Sequence, residues 1–510
     1  MKRIAFLAPF LFTLASLLQL NYRALIVASL AQVVRPLIVL WVVLLLLSLL
    51  IYWFLRDWSW TALLLTLFAA GFFSSTAFFS TVLLFTVIVG IPSWLFLRFR
   101  KRKLNVTHLV FLLSGISLVF ILYTLFLLSE ALVPVPWRRY QEAIQAANDS
   151  PRLMPPLIKR DIYLIILDGY ARADVLQEIY GFDNSEFIHE LEQQGFVVPT
   201  AAVSNYPATH LSVASMLNMD YIQNFSPGLE ASYQRWLMSP FIDHSRVRAW
   251  LETQGYTTVS ISTNWSITDN ATTNVYYQPY PVILSDFEGF LLDSTALKLF
   301  EPLLSRFASV PSFESQRKII LYNFESLARV PDMAGNQFVV AHIIAPHPPF
   351  VFDENGNPIE SSDDSFSFKD AAEYGGSREE YKERYIDQLQ FINERVISVI
   401  ENLLANSQTP PIIIIQADHG SGMFVDFASS ENTCVRERFS PFAAYHLPEV
   451  EPALIPSDVS AVNLFRIIFN AYFAAQLPLL EHRQFYYEQP VSFYQFEDVT
   501  ARQNEKCGQP

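Results

Sequence analysis

Five residues of this chain have the types and settings needed for chemistry on a phosphoryl or sulfuryl ester. Asp168 follows the apolar run Ile162–Leu167, and Asp418-His419-Gly420 follows Ile412–Gln416. Two carboxylates and an imidazole form a hard-to-borderline donor set, suited to one divalent ion such as Mn, Zn or Mg. Thr209 sits in Asn205-Tyr206-Pro207-Ala208-Thr209-His210, just before an apolar helical stretch. That setting predicts a helix N-terminus, where free N–H groups and the helix dipole favour anions. A threonine hydroxyl is a weak nucleophile at neutral pH, and a divalent ion on its oxygen lowers its pKa and aims it. In-line attack on phosphorus gives a phosphothreonine, from which a hydroxyl or water then takes the group. His347, beyond the run Phe338–Ile344, suits the acceptor or the leaving-group oxygen. The expected metal set is therefore Asp168, Thr209, Asp418 and His419, with Thr209 and His347 as catalytic groups.

Each residue alone has a plainer explanation. An Asp at a strand end is commonly a turn or cap residue, and Thr209 alone would be an N-cap. His342 lies within an apolar run and fits a satisfied core histidine as well as a functional one. His446 is expected to be structural, and Asp387 to be a hydrogen-bonding helix residue. Arg436 or Arg438 fits either a substrate anion or solvent. What raises the functional interpretation is that several clusters recur in order, each just beyond an apolar run.

Those runs supply the elements that must hold the residues. Ile162–Leu167, Thr257–Ser262, Phe338–Ile344 and Ile412–Gln416 are short, branched and flanked by polar residues. They predict buried strands of a largely parallel sheet. Arg384–Ala405 has helical periodicity, with Ile386, Leu389, Ile392, Val396, Ile400 and Leu403 on one face, and leads through Pro410-Pro411 into the next strand. Ligands in open α/β sheets gather beyond the carboxyl ends of strands, where these clusters fall. The polar segment Asp353–Ser377 predicts a surface loop.

The first 135 residues differ in kind. They hold ten basic residues and two acidic ones, whereas the remainder holds 25 basic and 47 acidic. Apolar runs at 5–20, 36–55, 59–77, 79–97 and 107–129 predict about five membrane spans. Trp58–Leu97 would be about 60 Å long as one helix, so it must fold back, near Ser74–Ser80. Lys2-Arg3, Arg56 and the cluster Arg98–Lys103 then share the cytoplasmic side, which leaves the acidic domain outside. A cleaved signal peptide at 5–20 is the rival for the first span and leaves that domain outside as well. The expected division is a transmembrane region at 1–135, a linker at 136–158, an extracytoplasmic catalytic domain at 159–485 and a tail at 486–510. No basic stripe or nucleic-acid motif is present, and acidic charge opposes nucleic-acid binding. Cys434 and Cys507 either form one disulfide or remain unpaired thiols.

The ordered set resembles the alkaline phosphatase/sulfatase superfamily. In particular it is similar to five-span envelope enzymes, the lipoteichoic acid synthases and lipid A phosphoethanolamine transferases. Four segments carry the resemblance: Ile162–Gly169, Thr209–Met216, His342–Pro349 and Gln416–Gly420. It implies an alkaline-phosphatase-like α/β domain on a membrane base of the inner cell membrane, with Thr209 at the nucleophile position and His347 at a substrate-site position. It also implies transfer of a phosphoglycerol or phosphoethanolamine group from a membrane lipid to an envelope glycan or lipid. A sulfatase-like ester hydrolase and an inactive envelope module are the alternatives. The transferases usually carry Glu where this chain has Asp168. Sulfatases form their nucleophile from Cys or Ser, which argues against sulfatase activity at Thr209. No histidine occurs between Gly420 and Tyr445, so one metal is expected rather than two.

Overall fold

The computed structural model describes residues 6–74, 106–146, 153–359, 366, 368–370, 373–489 and 492–507. The chain divides into two compact units. One comprises residues 1–134 with 282–310, the other 135–281 with 311–510.

The first unit is helical, with α1 (Ala8–Arg23), α2 (Val34–Leu55), α3 (Trp58–Ser74) and α4 (Thr107–Leu132). Two stretches, Leu30–Leu55 and Thr107–Leu132, are long and apolar enough to cross a membrane. The spans expected at 5–20 and 59–77 correspond to the shorter helices α1 and α3. The fourth expected span and the basic cluster Arg98–Lys103 lie outside the described residues. Residues 282–310 belong to this unit although the chain reaches them from the middle of the second. Their helix Asp286–Ser294 starts with a capping box, in which Ser285 and Glu288 each bond the other's backbone N–H. Phe287 and Leu291 are buried with Leu17, Leu20, Ala24, Ala28 and Val33. Arg35 grips Glu288 with two guanidinium nitrogens and donates to the Ile283 carbonyl at 2.8 Å.

The second unit is built on a six-stranded sheet. Its strands are β1 (Ile162–Leu167), β2 (Thr257–Ile261), β3 (Val275–Tyr277), β4 (Gln337–Ile343), β5 (Ile412–Gln416) and β6 (Ala443–His446). The order is β3-β2-β4-β1-β5-β6, parallel throughout except for β6, which runs antiparallel to β5. Side-chain alternation along each strand sends residues to opposite faces. Ile162, Leu164, Ile166, Ile412 and Ile414 join one apolar cluster. Tyr163, Ile165, Leu167, Ile413 and Ile415 join the other. A strand covered on both faces needs apolar residues at every position, which is why β1 and β5 are continuous apolar runs. Burying each such side chain stabilises the fold by about 2 kcal/mol.

Helix α5 (Thr209–Asn218) packs into the first cluster through Leu211, Val213, Ala214 and Leu217. Helix α6 (Arg378–Asn406) packs into the second through Tyr385, Leu389, Ile392, Val396, Ile400 and Leu403. Both elements agree with the periodicity of the sequence. The short edge strands β3 and β6 carry no comparable apolar run. The segment Asp353–Ser377 departs from a simple surface loop at Asp370, which is only 7% exposed. Cys434 and Cys507 are joined in a disulfide, with Cα atoms 5.2 Å apart.

Candidate active site

Asp168 directly follows β1, His342 lies near the end of β4, His347 follows β4, and Asp418-His419 follow β5. The parallel sheet therefore delivers all of them to one edge. Backbone bonds stitch that edge together: Asp168 N–H donates to Ile343 O, and His347 N–H donates to Asp168 O, both at 3.0 Å. Gly169 has φ +70°, the left-handed region that glycine occupies without strain, and turns the chain directly after Asp168. Gly420 has a different reason. A Cβ there would lie 2.0 Å from the Glu437 carbonyl oxygen, so only glycine lets the loop after His419 approach residues 437–440.

The structure brings together all five residues singled out from sequence. Thr209 is the first residue of α5, and every residue of that helix is buried. Its Oγ1 lies 3.3 Å from His419 Nε2. His419 Nδ1 lies 2.9 Å from the Gly420 carbonyl, so Nδ1 carries the proton and Nε2 presents a lone pair. Burial, then the neighbouring Arg438 guanidinium, pushes the imidazole pKa down and keeps the ring neutral. That lone pair faces Asp418 Oδ2 at 3.2 Å and Asp168 Oδ1 at 3.6 Å. Both carboxylate oxygens are buried without a hydrogen-bond partner. Electron-rich atoms converging in a dry site need a positive charge among them. The donor set thus fits a divalent cation held by Asp168, Asp418 and His419, beside the Thr209 hydroxyl. Asp418 is oriented by Gly169 N–H, which donates to its Oδ1 at 3.1 Å.

His342 joins this group. Its Nε2 lies 3.2 Å from Asp168 Oδ2 and its Nδ1 lies 2.9 Å from Thr268 Oγ1. Ligand atoms of Asp168, His342 and Asp418 fall within 4.8 Å of one another, and all three residues are buried. His342 is therefore both satisfied by hydrogen bonds and in position to bind an ion. Its sequence signal, a histidine inside an apolar strand, was visible but had two meanings.

His347 faces Asp370 at 3.5 Å. Burial alone would lower its pKa, but the Asp168 and then the Asp370 carboxylate raise it above the ordinary value. Arg438 is buried and donates to Asp370 at 2.6 Å, to the Pro207 carbonyl at 2.6 Å and to His419 Nε2 at 3.2 Å. Arg436 instead pairs with Asp174 at 3.0 Å and Glu178 at 2.5 Å. Of the two arginines left open by the sequence, Arg438 is thus the one at the site. Asp370 had no signal at all, since nothing marks one acid within a polar segment. A single pocket is lined by Asp168, Thr209, Arg235, His347, Asp370, His419 and Arg438, with Trp265, Phe427 and Tyr487 among its aromatic walls.

A family model described as Sulfatase matches residues 160–448. No curated protein matches the chain. Among solved structures, the C-terminal periplasmic domain of EcEptC from Escherichia coli is similar at 13% identity and TM-score 0.43, covering 69% of this chain and 94% of that one. The lipooligosaccharide phosphoethanolamine transferase A (EptA) from Neisseria meningitidis is similar at 12% identity and TM-score 0.39, covering 76% and 68%. The phosphonate monoester hydrolase SpPMH from Silicibacter pomeroyi is similar at 15% identity and TM-score 0.39, covering 60% and 72%. The family match takes in more than half of the chain, including Asp168, Thr209, His347, Asp418, His419 and Arg438, so the chain belongs to the sulfatase family.

Proposed function

We propose that this protein is a membrane-anchored, metal-dependent transferase. It moves a phospho-alcohol head group, of phosphoglycerol or phosphoethanolamine type, from a membrane lipid to an envelope glycan or lipid. The observation that carries this reading is the Thr209 hydroxyl, at the start of a buried helix and 3.3 Å from His419 Nε2, beside two buried carboxylate oxygens that lack partners. Several membrane passes with the catalytic domain outside follow from the distribution of basic residues along the first 135 positions.

Asp168, Asp418 and His419 would hold a divalent ion, which when bound would supply positive charge to lower the pKa of the Thr209 hydroxyl and offset charge on the phosphoryl oxygens. The remaining work falls to the chain itself. Thr209 Oγ1, its proton lost to solvent, attacks phosphorus as the bond from phosphorus to the diacylglycerol oxygen breaks. The N–H groups at the start of α5 and the Arg438 guanidinium face the anionic phosphoryl oxygens. His347, whose proton affinity its two carboxylate neighbours raise, gives a proton to the departing diacylglycerol oxygen. The neutral His347 then takes a proton from the acceptor hydroxyl, which attacks phosphorus and frees Thr209.

The test is intact mass of the purified protein, loaded with Mn or Zn and incubated with membrane lipid extract, beside the variant Thr209→Ala. A mass gain in the wild type alone supports the covalent step, and its size names the group moved. Normal turnover by Thr209→Ala would remove Thr209 as nucleophile. Turnover releasing the free head group, with no labelled acceptor, would instead make the enzyme a hydrolase.

A further inference from the structure

We propose that residues 282–310 form a membrane-surface element whose partner is the lipid bilayer, with Leu299, Phe300, Leu303 and Phe307 seated in its interface. The inference rests on the membrane-anchored reading of the first unit and adds a second point of lipid contact to it.

Three observations carry it. The first is membership: this excursion leaves the second unit after Pro281, returns at Pro311, and is packed into the first. Arg35, Glu288, Phe287 and Leu291 fix it there, and Gln32 Oε1 accepts from Phe287 N–H at 3.1 Å.

The second is place along the helices. The cluster it joins takes Leu17, Leu20 and Ala24 from the end of α1 and just beyond, Leu37 and Leu40 from the start of α2, and Phe73 from the end of α3. Successive antiparallel helices bring those three ends to one side. Arg56, between α2 and α3, lies at the other side. Lys2 and Arg3 ahead of α1, together with Arg56, outnumber Arg23 and Arg35 at the excursion's end, so the excursion lies at the interface opposite the cytoplasm.

The third is the excursion's own surface. Leu297 turns toward the cluster and Ala308 is buried. Leu299, Phe300, Leu303 and Phe307 face outward at 44, 54, 55 and 59% exposure. Leu299 and Phe300 lie on the 3-10 turn Ala296–Phe300, Leu303 on the short helix Glu301–Leu304, and Phe307 just beyond it. Ile26 and Leu30 ahead of α2, and Val34 at its start, are exposed at 43, 40 and 54%. In water such a surface is a liability, whereas an interfacial amphipathic element buries it among head groups and acyl chains. Continuity with apolar helices of the same unit selects lipid as the occupant over a protein partner.

The test uses the full chain in vesicles of phosphatidylethanolamine and phosphatidylglycerol. The disulfide between Cys434 and Cys507 leaves no other thiol to react, so a new cysteine takes an environment-sensitive fluorophore alone. Leu303→Cys and Phe307→Cys report on the excursion, Leu46→Cys on α2, and Glu401→Cys on the exposed side of α6. Expected are blue-shifted emission and loss of intensity to a lipid-borne quencher at 303, 307 and 46, with neither at 401. Quenching at 46 without quenching at 303 and 307 overturns the inference and leaves the spanning helix intact. A blue shift at 303 that lipid quenchers do not touch means a protein covers the surface, which also overturns it. Loss of quenching at 46 as well removes the membrane reading, and the inference falls with it.

Discussion

The two ring nitrogens of His419 divide the labour of the site. One is tied to the Gly420 carbonyl, which leaves the other's lone pair toward Thr209, Asp168 and Asp418. His342 can repeat the pattern, with Thr268 on Nδ1 and Asp168 beyond Nε2. A hydroxyl behind an imidazole fixes the ring's tautomer and direction, and losing such support costs about 10-fold to 100-fold in metal affinity. Thr268→Val keeps the shape and removes the hydroxyl. It is expected to weaken Zn or Mn binding by about that range in a chelator competition. Unchanged affinity would confine His342 to a packing role. Asp370 provides a second prediction. Burial alone would raise its carboxyl pKa, but Arg438, then His347 and the Tyr381 hydroxyl, hold it down to about 2. A carboxylate depressed in the folded state stabilises fully above its unfolded pKa of about 4 and loses that contribution as pH falls through the folded value. The wild type should therefore lose stability between about pH 4 and pH 2 more steeply than Asp370→Asn, as measured by thermal melts across that window. Residues that end an apolar strand, such as Asp168, Asp418 and His419, were legible because the strand gives them an address. Asp370 was not, because its meaning comes from Arg438, 68 positions away.

At the scale of elements, legibility followed burial. Strands β1 and β5 are covered on both faces, and their continuous apolar runs announce them. Strand β3 is three half-buried residues, and β6 is held to β5 by Tyr445, Ala444 and their neighbours without a distinctive pattern. Helix α6 was found from its apolar face, though it begins at Arg378, six residues before the periodic stretch, behind the cap Ser377. Its side chain accepts from Glu380 N–H, a local polar event that apolar periodicity does not register. The loop after β5 depends on a contact that is just as local. Gly420 N–H donates to the Arg438 carbonyl at 2.8 Å, and a side chain at 420 has no room against Glu437. Gly420→Ala must push the two segments apart, which costs about 3 kcal/mol by the usual scale of overpacking. The variant is expected to melt at lower temperature and to bind metal more weakly, since His419 and Arg438 move apart together. A melt equal to the wild type would mean that residues 437–440 yield at little cost.

Over the whole molecule, the division between a basic apolar portion and an acidic α/β portion was plain from charge alone. The return of residues 282–310 to the first unit was not. It depends on the pairing of Arg35 with Glu288 across 253 positions, and a salt bridge leaves no mark on the sequence around either partner. The chain end poses the same problem in a form that can be measured. Cys434 caps the short helix Val435–Phe439 that carries Arg438, and its disulfide to Cys507 closes 73 residues. Restricting the unfolded chain over a loop of that length stabilises by about 4 kcal/mol in the chain-entropy account. Other contacts also hold the end. Arg502 donates to the Ser430 and Thr433 carbonyls, and Glu505 accepts from Val435 N–H. Val499 and Tyr486 pack with Val435 and Phe439. Because those contacts persist when the sulfurs part, the native fold should survive reduction while its margin shrinks. Replacing both cysteines by alanine should therefore lower the denaturation midpoint, with a loss of about 2 to 4 kcal/mol, and leave metal affinity at low temperature near the wild-type value. A loss of metal affinity under conditions where the protein remains folded would instead mean that the disulfide itself sets the position of Arg438.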